Sequence, residues 1–266
     1  MTGTTAYAQA RRTLLQAVGR LWRWLRGRWG SRTSIAAFTI AFVVFTLLSM
    51  GPLLEVDRAV DLPWGRRWPE ARPVMETLVV VGQRVVCLPV LFAVALVYGW
   101  RRRSWLPVLL SVGAVVAVNF VVGALKLVTG RGSPRWTSDP AFFVDFENGI
   151  LFPSGHSANV VLVFGLAAYL AGYYGGRRSR PARLLLALTV GASVVVLVTS
   201  VYLRGHWVSD LVAGYLVGGI VLQATIRVHA AVRRRRWHHR RRIPPRGPTS
   251  STGHPEPMPE YPVARA

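Results

Sequence analysis

The chain contains 266 residues, of which 52% are hydrophobic, and it carries a formal net charge of +22. A chain this apolar is neither intrinsically disordered nor collagen-like, and its single cysteine, Cys87, excludes an intramolecular disulfide and a zinc site built from cysteines. The charged residues are segregated from the apolar ones along the sequence, whereas soluble domains mix the two locally. This segregation points to segments that cross a membrane.

Six stretches without Asp, Glu, Lys or Arg follow one another along the chain. They are 33–54, 85–100, 104–125, 148–176, 184–203 and 211–226. A helix needs about 20 predominantly apolar residues to cross a bilayer, and the two shorter stretches reach that length when they are extended backwards to about Thr77 and Trp207. Six such stretches are too many for the buried helices of a soluble protein, so the sequence predicts an all-α, six-transmembrane-helix bundle.

Positive charge collects on one set of the segments that connect these stretches. Of the 33 Lys and Arg residues, 24 lie in 1–33, 101–103, 177–183 and from Arg227 onward, while the other connections carry equal numbers of acids and bases. Lys and Arg near the ends of spans are retained in the cytoplasm. We therefore predict that both termini are cytoplasmic.

Three parts of the chain follow from this topology. Residues 1–33 form a basic cytoplasmic segment whose mixed Arg and apolar pattern is compatible with a helix lying on the inner membrane surface. Residues 34–229 form the six-helix membrane domain, and residues 230–266 form a basic, Pro-rich, disordered cytoplasmic tail. The Arg run of the tail has the charge to bind nucleic acid, but we favour contact with anionic membrane lipids and expect no nucleic acid partner.

Polar residues that could take part in a chemical reaction concentrate at three span ends, all of which are predicted to face the outer side. They are Lys126, Arg131 and Arg135 after the third span, Ser154, Gly155 and His156 at the start of the fourth, and Arg204, His206 and Asp210 between the fifth and the sixth. The topology rests on Arg counts alone, so this convergence on one side is an independent indication of a site.

The residue types in these groups suit phosphoryl transfer. Asp210 lies four residues after His206, so it can hold one imidazole nitrogen and leave the other free to attack. Ser154 can cap a helix whose free N–H groups attract an anion, and Gly155 lets that backbone approach a ligand closely. His156 can then protonate a leaving oxygen, while the nearby Lys and Arg residues stabilise phosphoryl oxygens.

This chemistry proceeds through a phosphohistidine and requires no metal ion or other cofactor. Metal binding by His156, His206 and Asp210 is a competing use of the same side chains. The surrounding cations oppose it.

The motifs resemble those of the type 2 phosphatidic acid phosphatase (PAP2) superfamily, in its membrane branch. Its signature is K-x6-R-P, then P-S-G-H, then S-R-x5-H-x3-D. Residues 153–156 match the central element, His206 and Asp210 match the end of the third, and Lys126 and Pro134 match the ends of the first. The resemblance covers roughly residues 75–225 and implies that residues 34–229 form a PAP2-like membrane phosphatase domain.

The resemblance also implies a role for each matched residue. His206 would be the nucleophile, Asp210 its orienting partner and His156 the general acid, while Lys126 and the Ser154–Gly155 region would bind phosphate. The implied protein is a multi-pass enzyme of the cell membrane whose active site lies on the extracytoplasmic side. Its implied substrate is a lipid phosphate or a polyprenyl diphosphate, and the sequence leaves the oligomeric state open.

Two positions depart from the family pattern: Ser133 and Ser200 stand where the family has arginine. Arg131 fits a bacterial variant of the first motif, and Arg135 and Arg204 are further candidates for the missing positive charge. We favour a pocket re-formed by these cations over a catalytically weak relative that binds or moves lipid phosphates. A transporter is a third reading, but ionisable residues here lie mostly at span ends and not at the bilayer midplane. Arg84 is the exception, and its role is open.

Overall fold

The computed structural model of the protein describes residues 31–61, 64–143, 150–176 and 179–242, except for the side chains of residue 66 and of 236–242. The predicted interfacial helix and the Pro-rich part of the predicted tail lie outside the described residues. Within the described ranges, all regular secondary structure is helical.

The α helices follow the predicted spans, with three short helices added between the first span and the second. They are α1 (Arg32–Ser49), α2 (Leu53–Val60), α3 (Trp64–Arg67), α4 (Arg72–Val79), α5 (Arg84–Arg101), α6 (Leu106–Thr129), α7 (Gly155–Gly175), α8 (Arg180–Tyr202) and α9 (Val208–Arg242). Two single 3₁₀ turns, Pro69–Ala71 and Val80–Gly82, join α4 to its neighbours.

Within the described part of the chain, six segments are long and apolar enough to cross a membrane. They are Arg32–Ser49, Pro69–Arg101, Leu106–Thr129, Gly155–Gly175, Arg180–Tyr202 and Val208–Arg235. The predicted all-α bundle of six spans is therefore confirmed. The second segment starts at Pro69, earlier than the predicted Thr77, because α4 and the two 3₁₀ turns run into α5 almost without a break.

The last helix differs from the sequence-based expectation. It continues through residues 230–242, where the sequence predicts the start of a disordered tail. The residues there are mostly Ala and Arg, which are among the strongest helix formers, and this propensity accounts for the continuation.

Local sequence signals set the helix ends nearest the first two motifs described above. Gly130 ends α6 with a left-handed backbone (φ 48°), a conformation that glycine adopts at little cost. Ser154 caps α7 by accepting a hydrogen bond from the backbone N–H of Ser157. These two ends lie on the same side of the bundle, where the Thr129 hydroxyl donates to the carbonyl oxygen of Phe152 at 2.9 Å.

Helix α7 forms the centre of the bundle, with 13 of its 21 residues buried, whereas Ser49 is the only buried residue of the 18 in α1. Close packing between α7 and α9 depends on glycine. A Cβ atom at Gly218 would lie 2.5 Å from the carbonyl oxygen of Ala158, and one at Gly214 would clash with the carbonyl oxygen of Ser154. Glycines at both positions let the two helix backbones approach each other directly.

Candidate active site

His206 and Asp210 form a hydrogen-bonded pair where α9 begins. His206 Nδ1 lies 3.4 Å from Asp210 Oδ2, and the backbone N–H of Trp207 donates to the same oxygen at 3.1 Å. The Asp210 side chain is fully buried and that of His206 is 9% exposed. Because the carboxylate faces Nδ1, the opposite nitrogen, Nε2, is the one directed away from the pair and available for attack.

His156 lies in the first turn of α7 and faces His206. The centroids of the two rings are 6.3 Å apart and their planes are inclined at 67°. This separation allows both rings to reach one phosphorus atom between them, so the predicted meeting of the two histidines is found in the structure.

Gly82, which no sequence motif singled out, makes room for His156. A Cβ atom at position 82 would lie 3.1 Å from Cβ and 3.2 Å from Cδ2 of His156, and 2.8 Å from Cγ2 of Val196. The 3₁₀ turn before α5 therefore packs against the general-acid candidate, which only the tertiary structure reveals.

The start of α7 is tied to the start of α9 by the backbone. The N–H of Ser154 donates to the carbonyl oxygen of Asp210 at 2.9 Å, and the Ser154 side chain is fully buried. A Cβ atom at Gly155 would meet only Val122, at 3.8 Å, so the first turn of α7 is sterically open there. The two motifs are thus joined physically, and the open helix N-terminus adjoins the histidine pair.

Arg131 is completely buried, and all three nitrogens of its guanidinium group donate hydrogen bonds to protein partners. Its Nη1 donates to Oδ1 of Asp210 and to Oγ of Ser209, both at 2.6 Å, and its Nη2 donates to Oδ2 of Asp57 at 2.6 Å. Nε donates to the carbonyl oxygen of Pro140 at 2.9 Å. This geometry favours a role in holding Asp210 over the predicted contact with phosphate.

Two of the other predicted cations are also engaged by protein groups. Arg204 donates from Nε and Nη2 to both carboxylate oxygens of Asp61, and this hydrogen bonding raises the pKa of Arg204 above its ordinary value. Arg135 has an exposed side chain, and its Nε donates to the carbonyl oxygen of Leu203 at 3.2 Å. Arg204 is therefore largely neutralised, whereas Arg135 has no carboxylate partner among the described residues.

Lys126 lies close to the histidine pair. Its Nζ donates to the carbonyl oxygen of Ile150 at 3.0 Å, and it interacts electrostatically with Asp210 and with His156. No carboxylate pairs with Lys126 among the residues that the structure describes, so its charge remains available to a ligand.

Arg84, for which the sequence suggested no role, places a positive charge near Lys126 and His156. It is the first residue of α5, its side chain is exposed, and it interacts electrostatically with Lys126 and His156. The Arg84 side chain forms no hydrogen bond or ion pair with any residue of the described ranges. The sequence held no signal for this, because the 3₁₀ turn at Gly82 sets the position of Arg84.

The two serines that depart from the family pattern are buried. Ser133 is 6% exposed and Ser200 is 3% exposed. The Ser133 hydroxyl accepts a hydrogen bond from the backbone N–H of Arg135, and the Ser200 carbonyl accepts one from Gly205. Both serines thus support the turns that carry neighbouring basic residues.

Across the described parts of the chain, no group of three or more His, Cys, Asp and Glu side chains is arranged to hold a metal ion. Metal-free catalysis stays a prediction.

Comparison with known proteins supports this picture. The model of the PAP2 superfamily matches residues 104–234. Phosphatidylglycerophosphatase B of Bacillus subtilis (strain 168) is 27% identical over 154 residues, which is 57% of this chain and 72% of the relative. The crystal structure of a transmembrane PAP2 type phosphatidylglycerolphosphate phosphatase from Bacillus subtilis aligns with a TM-score of 0.63 and 20% identity, over 75% of this chain and 97% of that one.

Six spans around a histidine pair, together with these matches, define a multi-pass membrane phosphatase. Residues 104–234 of the chain belong to the PAP2 superfamily. The resemblance drawn from the sequence motifs is confirmed. The matched region begins at residue 104 and therefore leaves out Asp57, Gly82 and Arg84, all of which lie at or next to the site.

Proposed function

We propose that the protein hydrolyses a lipid phosphate or a polyprenyl diphosphate at the extracytoplasmic membrane surface, through a phosphohistidine on His206. The observation that carries this proposal is the pair of imidazole rings 6.3 Å apart, with a buried carboxylate on Nδ1 of His206. An imidazole oriented in this way is a nucleophile, and a second imidazole across the gap is a proton donor.

The proposed reaction has two steps. In the first, Nε2 of His206 attacks phosphorus, the bond from phosphorus to the leaving oxygen breaks, and His156 gives its proton to that oxygen. In the second, His156 accepts a proton from water, the resulting hydroxide attacks the phosphohistidine, and inorganic phosphate leaves. Asp210 stabilises the positive charge on His206 in both steps.

The phosphate-binding set is proposed from the positive charges that remain uncompensated. Lys126, Arg84 and the N-terminus of α7 at Ser154 and Gly155 surround the histidine pair, and we assign phosphate binding to them. Arg135 adds a peripheral charge. Arg131 and Arg204 act by orientation, because Asp57, Asp61 and Asp210 already hold them.

The substrate class follows from the surroundings and from the relatives. The site lies at the ends of apolar spans, so a lipid can keep its chains in hydrocarbon while its head group reaches His206. Both named relatives act on a phosphorylated phosphatidylglycerol, so that lipid belongs in any substrate panel together with phosphatidate and an undecaprenyl diphosphate.

The test is phosphate release from this panel by the purified full chain. We expect release from at least one lipid and a loss of about a thousandfold or more in His206→Ala and His156→Ala. Brief incubation with ³²P-labelled substrate should trap an acid-labile, alkali-stable phosphoenzyme in the wild type and none in His206→Ala. Turnover that survives His206→Ala would overturn the assignment.

A second candidate is a non-catalytic protein that binds or moves lipid phosphates. The serines at positions 133 and 200 favour it, because both replace arginines of the family signature. It predicts no phosphate release from any lipid in the panel, together with saturable lipid binding that is lost in Lys126→Ala.

A further inference from the structure

Asp57 is a buried carboxylate that lies far from the catalytic motifs in sequence. It belongs to the short helix α2, which follows the first span, and it is 2% exposed. The neighbouring acidic residue of the same helix, Glu55, is exposed and pairs with Arg58 at the surface. Helix α2 therefore turns one carboxylate outward and one into the protein.

The buried carboxylate is connected to the catalytic pair through two residues. Its Oδ2 accepts hydrogen bonds from Nη2 of Arg131 at 2.6 Å and from Oγ of Ser209 at 2.5 Å, and its Oδ1 accepts one from the backbone N–H of Ser209 at 3.0 Å. Arg131 in turn donates to Oδ1 of Asp210 at 2.6 Å. The side chains of Asp57, Arg131 and Asp210 are each no more than 1% exposed, so water does not screen the cluster.

The net charge of this cluster determines how well it can stabilise a positive charge on His206. One guanidinium between two carboxylates leaves a formal charge of −1 in a cluster of buried side chains. Asp210 uses Oδ1 for Arg131 and Oδ2 for His206 and for the start of α9. Without Asp57, Asp210 alone would neutralise Arg131, and little negative charge would remain to stabilise a positive imidazole.

A purely structural explanation is weak on energetic grounds. Removing three charged groups from water costs several kcal/mol per ion, and apolar side chains of similar volume stabilise a fold equally well or better. Stability alone therefore does not account for this buried ionic cluster.

We propose that Asp57 is a positioning residue of the active site, which acts through Arg131 and Ser209 to hold Asp210 against His206. The inference rests on the proposed function, in which His206 is the nucleophile. It assigns a catalytic contribution to α2, a helix outside the family match.

The experiment compares Asp57→Asn with Glu55→Gln, the same change from carboxylate to amide on the exposed side of α2. We expect Asp57→Asn to lower kcat about tenfold to a hundredfold with KM within about twofold of the wild type. Glu55→Gln should retain both constants. A kcat for Asp57→Asn that equals the wild-type value would overturn the proposal.

A charge-restoring double variant separates positioning from stability. Arg131→Gln leaves two buried carboxylates facing each other, and Asp57→Asn in that background returns the formal charge to −1. We expect the second change to raise the kcat of Arg131→Gln, although it lowers that of the wild type. Losses that simply add, or a loss of folded protein in all three variants by thermal unfolding in detergent, would overturn a positioning role.

The outcome is separable from a failure of the proposed function. A wild-type protein that releases no phosphate, or a His206→Ala variant that still does, overturns the phosphohistidine mechanism and this inference with it. An active wild type that requires His206 but is indifferent to Asp57→Asn overturns this inference alone.

Discussion

Four basic residues near the site differ in how much positive charge they can offer a phosphate. Arg131 shares two carboxylates and Arg204 is held by Asp61, whereas Lys126 and Arg84 have no carboxylate partner within the described ranges. Residue type alone cannot make this distinction. It depends on which acidic side chain the fold brings within hydrogen-bonding distance.

Arg84→Ala tests whether the uncompensated arginine binds phosphate. We expect kcat/KM to fall about tenfold to a hundredfold, because a hydrogen bond to a charged group contributes about 1.5–3 kcal/mol, and we expect Arg84→Lys to recover part of the loss. Arg72→Ala is the matched control, since Arg72 is exposed and pairs with Glu76 in α4. Unchanged kinetics with each lipid of the panel would refute the role of Arg84.

Gly82→Ala tests whether the 3₁₀ turn positions His156. The added methyl group would lie 2.8 Å from Val196 and 3.1 Å from His156, so one of these side chains has to move. We expect kcat to fall about tenfold through displacement of the general acid. Gly113→Ala, where nothing lies within 4 Å of the new Cβ, should retain wild-type kcat; equal losses in both variants would contradict the explanation.

Much of the residue-scale picture could be predicted from the sequence. His156, His206 and Asp210 come together as the motif spacing and the span order indicate. Asp57 and Gly82 could not be found in this way, because a buried carboxylate and a close-packed glycine become evident only when distant elements meet. The hydrogen bonding of all three guanidinium nitrogens of Arg131 to protein groups escaped prediction for the same reason.

At the scale of elements, the contact between α7 and α9 sets the geometry of the site, since α7 carries His156 and α9 carries Asp210. Gly218 is one of two glycines, with Gly214, at which the two backbones approach each other too closely for a Cβ atom. Any side chain at that position forces the helices apart or strains both of them.

Gly218→Leu should therefore lower stability and activity together. We expect a loss of about 1–3 kcal/mol in the free energy of unfolding and a fall in kcat, measured as thermal unfolding in detergent and as phosphate release. Gly191→Leu, on the exposed face of α8 with no atom within 4 Å, is the control. A Gly218→Leu protein with wild-type stability would show that the helices are not constrained there.

The spans were predictable and the connection between the first two was not. Long apolar runs locate α1 and α5–α9 because the bilayer requires them. Residues 51–76 mix charges and prolines, so hydropathy gave no signal for the short helices that the structure shows there. That connection carries Asp57 and Asp61, so the least predictable part of the fold contributes one carboxylate partner to Arg131 and one to Arg204.

At the scale of the whole molecule, the predicted orientation can be tested with single cysteines. In a Cys87→Ala background, we expect a membrane-impermeant maleimide added to intact cells to label Ser138→Cys and to spare Arg101→Cys. The reason is that the Arg-rich connections are retained in the cytoplasm. Both positions are exposed, so lysed cells should label both equally. The reverse pattern in intact cells would place the site on the cytoplasmic side.

The position of Asp57 in the chain also bears on protein engineering. A fragment trimmed to residues 104–234 would contain every motif block and yet strand Arg131 with one carboxylate in place of two. A chimera that exchanges the amino-terminal hundred residues between superfamily members faces the same mismatch, unless the donor sequence supplies an acid that meets this arginine. Compatibility between the two halves thus depends on one buried ion pair, between Asp57 and Arg131, and not on the catalytic signature.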